Sequence, residues 1–133
     1  MAVKSITVHA IQIEDKPGSL HKLLAAVAAA GIDLNCLSAC ACGGGKAVAY
    51  LSAKNRDALK GYAKKAGIKA TELAGFMFTG EDKVGAAASA LMPLAVAEIN
   101  GVATSATVTD GSFGMLVVVG LADAIAAAKA LGA

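Results

Sequence analysis

Tryptophan is absent, and Phe76, Phe78, Phe113, Tyr50 and Tyr62 are the only aromatic residues. A core without large rings gains little free energy per side chain, so extra burial is expected between halves of the chain or between subunits. Charge is scarce too. Asp, Glu, Lys and Arg make up 17% of residues, and the net charge of +2 excludes a strong sequence-independent grip on nucleic acid. Basic residues do gather between Lys54 and Lys69, but at a spacing that reads as a solvated helix face. No apolar stretch is long enough to cross a bilayer; the longest, Val84 to Ala97, is Ala-rich and interrupted by Pro93. The N-terminus has neither an apolar h-region nor a cleavage-site pattern. With that and an odd number of cysteines, three, a reducing cytoplasmic location is expected.

What is present is apolar and small. Hydrophobic residues reach 56% of the 133, and 32 of them are alanine. Such a chain folds, as one ordinary domain or two very small ones. Ser5 to Ile13 alternates and is rich in β-branched residues, which predicts a strand. Pro17 suits the first turn of a helix, and Leu20, Leu23, Leu24 and Val27 form one apolar helical face. Gly31 closes that helix. Strands over Ile32–Cys42 and Ala47–Ala53 flank a Gly43-Gly44-Gly45 hairpin. A helix over Asp57–Ala66 and a strand from Ile68 complete the order βαββαβ, the split βαβ of ferredoxin-like folds.

The pattern then repeats. At a shift of 67 residues Glu14-Asp15-Lys16-Pro17-Gly18 falls on Glu81-Asp82-Lys83-Val84-Gly85, and Ile32-Asp33 falls on Ile99-Asn100. Leu24 and Val27 fall on Leu91 and Leu94, and the hairpin from Gly43 falls on Asp110 to Phe113. The reading is α+β, two tandem ferredoxin-like repeats, over residues 1–71 and 72–133. The second is expected to lack its last strand, leaving an unpaired edge. Pro93 is expected to kink or split its first helix. Ile68 to Gly80 reads as one long strand joining the copies.

The segment Glu14-Asp15-Lys16-Pro17-Gly18-Ser19-Leu20, an Ala/Leu helix, and then Ala30-Gly31-Ile32-Asp33-Leu34 resembles the ACT domain. ACT domains are small βαββαβ regulatory modules that bind amino acids. The resemblance covers both copies, and short free-standing tandem ACT proteins share this length and plan. It implies that Asp15, the backbone of Lys16, Pro17, Gly18, Ser19 and Leu20, and Asp33 contact a ligand. In the second copy it implies the same of Asp82, Lys83, Gly85 and Asn100. Elementary physics points the same way. A strand-to-helix turn leaves first-turn N–H groups unpaired, the helix terminus carries partial positive charge, and a carboxylate fits there. Asp15 can take an ammonium. The sequence reading also puts Asp33 on the same edge of the fold as the loop.

The other reactive residues carry less. Cys36, Cys40 and Cys42 are spaced C-x3-C-x-C, which matches no common zinc or cluster pattern; they read as buried small hydrophobes. His9 and His21 have no nucleophile arranged beside them. Gly43-Gly44-Gly45-Lys46 lacks P-loop spacing. No catalytic residue, metal or cofactor is expected. The resemblance implies a regulatory protein that binds a small amino acid. The alternative is an interaction module with empty sites, acting on a partner enzyme of amino-acid metabolism. Apolar residues of both parities in Ala47–Leu51 and Met115–Val119 point to strands buried on both faces. Close packing of the repeats and a homodimer are expected from that.

Overall fold

The computed structural model describes residues Met1–Ala133. Its elements are β1 (Ala2–Glu14), α1 (Ser19–Ala29), β2 (Leu34–Gly43), β3 (Lys46–Ala53), α2 (Arg56–Lys65) and β4 (Ala70–Glu81). They continue with α3 (Ala86–Val96), β5 (Gly101–Thr109), β6 (Ser112–Val119), a 3-10 turn (Leu121–Asp123) and α4 (Ala124–Leu131). The expected order holds, and β4 is the long strand expected to join the copies. No helix is long and apolar enough to cross a membrane.

The chain divides into two compact units, residues 7–72 and residues 1–6 with 73–133. Within the first, the strand order is β2-β3-β1-β4. β1 pairs antiparallel with β3 from His9↔Leu51 to Glu14↔Lys46, and β2 pairs antiparallel with β3. Odd-numbered residues of β1 face the helices. Ile11 therefore joins Leu23, Val27, Ala49, Leu51 and Leu59 in a buried cluster. Asn55 caps α2 by accepting the Ala58 N–H at 3.1 Å, with Asp57 in its first turn and Lys64 and Lys65 in its last, each sign matching the helix dipole.

The second unit repeats this with one change of supplier. Its strand order is β5-β6-β4-β1. As expected, no strand of the second repeat follows α4; residues 1–6, placed by sequence with the first repeat, take the outer position beside β4 instead. Val3 packs on a core of Phe76, Phe78, Leu94, Phe113, Met115 and Val117. The unpaired edge expected at β4 is thereby filled. α3 also departs from expectation. It runs unbroken through Pro93, because the ring removes only the bond to the Ser89 carbonyl while Ala90 and Leu94 stay buried in the core.

The gapless shift of 67 holds only as far as the hairpin. Ile11 pairs with Ala49, whereas its counterpart Phe78 pairs with Met115, so β3 and β6 correspond one residue closer. The extra residue is in β2, where the register slips between Ala41 and Gly43. A slip of one turns every side chain to the other face, so Ala49, not Val48, is the counterpart of Met115. Of the two strands expected to be buried on both faces, β6 is, while Val48 and Tyr50 of β3 are only half-buried. Leu116 and Val118 point away from the Phe113–Met115–Val117 core, yet are 6% and 0% exposed in the single chain.

Candidate functional site

The strand-to-helix loop of the 7–72 unit is fixed by backbone bonds. The Asp15 N–H donates to the Gly45 carbonyl at 3.0 Å, tying the loop to the β2–β3 hairpin. Ser19 N–H donates to Lys16 O at 3.1 Å, and Lys22 N–H to Gly18 O at 2.9 Å. Gly18 sits at φ 87°, just before α1, and no side chain caps the helix. First-turn N–H groups therefore remain turned toward the loop. A Cβ at Gly18 would meet nothing within 4 Å, so the approach to this backbone is open. The Asp15 carboxylate is exposed and makes no ion pair, while Lys16 pairs with Glu14 at 3.1 Å.

The second unit reproduces these contacts. Asp82 N–H donates to Gly111 O at 2.9 Å, Ala86 N–H to Lys83 O at 3.1 Å, and Ser89 N–H to Gly85 O at 2.9 Å. Gly85 has φ 82°, and Lys83 lies 3.8 Å from Glu81. Asp15, Lys16, Pro17, Gly18, Ser19 and Leu20 thus lie together as expected, as do Asp82, Lys83 and Gly85.

Asp33 does not join them within its unit. It precedes β2, whose first residue, Leu34, pairs with Ala53, while the loop follows Glu14, which pairs with Lys46. Seven strand residues separate those levels, about 23 Å. The reason is topological: α1 carries the chain back to the opposite end of the sheet before β2 starts. There Asp33 accepts from the Leu34 N–H at 2.9 Å and pairs with Lys54 at 2.6 Å. The Lys54 ammonium holds its carboxyl below the usual range. Asn100, before β5, is likewise at the far end of the second unit from Asp82.

The cysteines correct another expectation. All three are free, and Cys40 and Cys42 are exposed because β2 is an edge strand; only Cys36 is half-buried, which raises its thiol pKa. Cys36 and Cys40 share a face, opposite Ser52 and Val48, but the slip after Ala41 takes Cys42 out of that row. His9 is 2% exposed and its Nδ1 has no partner. Burial lowers its pKa, reinforced by Lys60 and Arg56 and opposed by Glu72.

Beside the loop, the 7–72 unit holds a cavity of about 420 Å³ lined by Ile11, Leu23, Tyr62, Lys22 and Lys46 among others. None of these five was singled out as a binding residue from sequence. Lys46 was legible in principle, because it opens β3 directly opposite Glu14. A wider groove of about 670 Å³ runs along α2 past Asp57, Lys64 and Lys65, away from the loop.

Each unit, with its βαββαβ-type path and strand order, has the fold of ACT-type regulatory domains. No family model matches the chain, and no curated sequence matches it. Solved structures do match. Protein BT0572 from Bacteroides thetaiotaomicron is similar with a TM-score of 0.74 at 14% identity, over 96% of this chain and 88% of that one. The ligand-free regulatory subunit of aspartate kinase from Thermus thermophilus gives 0.65 at 18%, over 98% and 93%. Aspartate kinase from Clostridium acetobutylicum gives 0.64 at 15%; 98% of this chain spans 33% of that enzyme. At these identities the likeness is one of fold.

Proposed function

We propose that the chain is a regulatory protein without catalysis of its own, and that it binds a small amino acid at its strand-to-helix loops. The observation that carries this is the duplicated loop: an uncapped helix start, a left-handed glycine and an open backbone approach, held by the same bonds in both units. The first-turn N–H groups would take the carboxylate, and Asp15 or Asp82 the ammonium, with Lys16, Pro17, Ser19 and Leu20, and Lys83 and Gly85, shaping the two loops. Asp33 and Asn100 take no part in the loop of their own unit. The likeness to the regulatory subunit of aspartate kinase from Thermus thermophilus supports a regulatory role. A thermal-shift screen of the twenty amino acids tests it. Ligand at a hundred times its Kd adds about 2.7 kcal/mol of stability, and Gly18→Val should abolish the shift in the first unit. If no amino acid shifts the melt, the reading is wrong.

The same proposal includes a homodimer or a partner enzyme, in the cytoplasm. α3 has no charged residue and leaves Met92 and Val96 60% and 79% exposed; Ile125 on α4 is 88% exposed. Exposed apolar side chains of this kind on two helices suit a protein partner. The three free thiols suit a reducing compartment. A sedimenting species near 13.0 kDa, with and without amino acid, would exclude the dimer.

A further inference from the structure

The cavity of about 420 Å³ in the 7–72 unit is within the size range of small-molecule sites. Its floor is apolar, with Ile11 and Leu23 buried beneath and Ile68 and Tyr62 half-buried at the side. Its charged groups are Lys22, Lys46 and Glu14. The chain has three ion pairs, and neither Lys22 nor Lys46 is in one, whereas Glu14 is already engaged by Lys16 at 3.1 Å. The uncompensated charge over the apolar floor is therefore positive.

The duplicated unit provides an internal comparison. Lys22 corresponds to Ser89, and Lys46, opposite Glu14, corresponds to Ser112, opposite Glu81. The cavity lined by the equivalents of Glu14, Ser19 and Lys22, namely Glu81, Ala86 and Ser89, is smaller, about 300 Å³, and Met1 lines it too. A Cβ at Gly80 would lie 3.3 Å from the Met1 Cα, so the N-terminal residue is packed close against this strand. The charged pair there, Glu81 and Lys83, is self-compensated at 3.8 Å. Scaffold and loop are shared between the units; the two free cations and the larger volume are not.

We infer that the cavity beside α1 in the 7–72 unit binds a small organic monocarboxylate with a branched or aromatic tail, and that the other unit has no equivalent site. The tail lies on Ile11, Leu23 and Ile68, and the carboxylate accepts from Lys22 and Lys46. A cationic ligand would meet two ammonium groups and one engaged acid. Inorganic phosphate would satisfy the lysines and leave the floor unused. The site is separate from the loop, with which it shares only Ser19.

The test uses the full chain with 3-phenylpropionate, its amide, 3-phenylpropylamine and inorganic phosphate, by calorimetry and by methyl chemical shifts of the isoleucine and leucine residues. Binding of the acid is expected to move the Ile11, Leu23 and Ile68 methyls. Amide, amine and phosphate should each bind about tenfold more weakly or worse, the loss expected for one charge-assisted hydrogen bond or for the unused apolar floor. Lys22→Gln and Lys46→Gln should each weaken the acid by a similar factor, while Lys129→Gln, the same charge change in the other unit, should leave it unaltered. Equal affinity for acid and amide, equal loss in Lys129→Gln, shifts confined to methyls of residues 73–133, or no binding by any probe would each overturn the inference.

Discussion

Replacing Glu98 by glycine should stabilise the protein. All four α-helices end in the same way. In α1 the Gly31 N–H donates to Ala28 O at 2.9 Å and the Ile32 N–H to Val27 O at 3.2 Å, with Gly31 at φ 76°. This is the Schellman arrangement, which needs a left-handed residue just past the cap. Gly67 and Gly132 fill that position after α2 and α4. After α3 it is Glu98, at φ 57°, whose N–H donates to Ala95 O at 3.1 Å while Ile99 donates to Leu94 O at 2.9 Å. The geometry is imposed on a residue with a Cβ, at a cost of about 1–2 kcal/mol. Glycine relieves that cost but carries about 0.5–1 kcal/mol more chain entropy to lose on folding. The net gain expected is about 0.5–1 kcal/mol, or about 3 °C in melting temperature for a chain of this size. Glu98 is exposed and in no ion pair, so nothing electrostatic is forfeited. Thermal and urea melts followed by circular dichroism measure the effect. Glu98→Ala, which keeps the Cβ, should gain little, and Gly31→Ala should lose about 1 kcal/mol. An unchanged or lower melting temperature for Glu98→Gly, or an equal gain from Glu98→Ala, would refute the argument.

Two further outcomes follow from the fold. The His9 pKa is lowered in the native state, so below the unfolded value of about 6.5 the unfolded chain binds the extra proton. Stability should therefore fall as pH drops from about 6.5 toward the lowered native value. His9→Gln should remove that slope and leave the acid-range loss from Asp33 in place, as melts from pH 7.5 to 4.5 would show. Deleting residues 2–6 should strip the outer strand from the second unit, so amide protection should fall in β4 and β6 while β2 and β3 keep theirs. Uniform loss across both units, or no loss, would contradict the shared-strand topology.

Much of this was legible because it is local. Alternation in Ser5–Ile13, the i, i+3, i+4, i+7 run from Leu20, and glycines at helix ends each depend on neighbours a few residues away. The loop at Asp15 and its copy at Asp82 were legible because identical turn chemistry recurs. Four features were not, each for a stated cause. The partner of residues 2–6 lies more than seventy positions away, and alternation does not name a strand's neighbour. The extra residue near Cys42 is a backbone bulge, invisible in a stretch where Ala, Cys and Gly differ so little in character. Asp33 was placed on the loop's edge of the fold by assumed topology, although a helix that reverses the chain puts a following strand's start at the other end. Lys22 and Lys46 carried no motif, and only folding sets them over one apolar floor.

The strand assignment has a consequence for how the chain assembles. β1 leaves one unit at residue 6 and β4 enters it again at residue 73, so everything from 7 to 72 is an insertion between two paired strands. If that insertion were unstructured, joining its ends would cost about 4 kcal/mol of loop-closure entropy. Once folded, it holds the start of its own β1 segment beside the end of its β4 segment and removes most of that cost. The smaller contiguous unit is thus a clasp whose closure lowers the barrier to zipping the discontinuous one. Destabilising the clasp would slow folding of residues 1–6 and 73–133, which lie outside it.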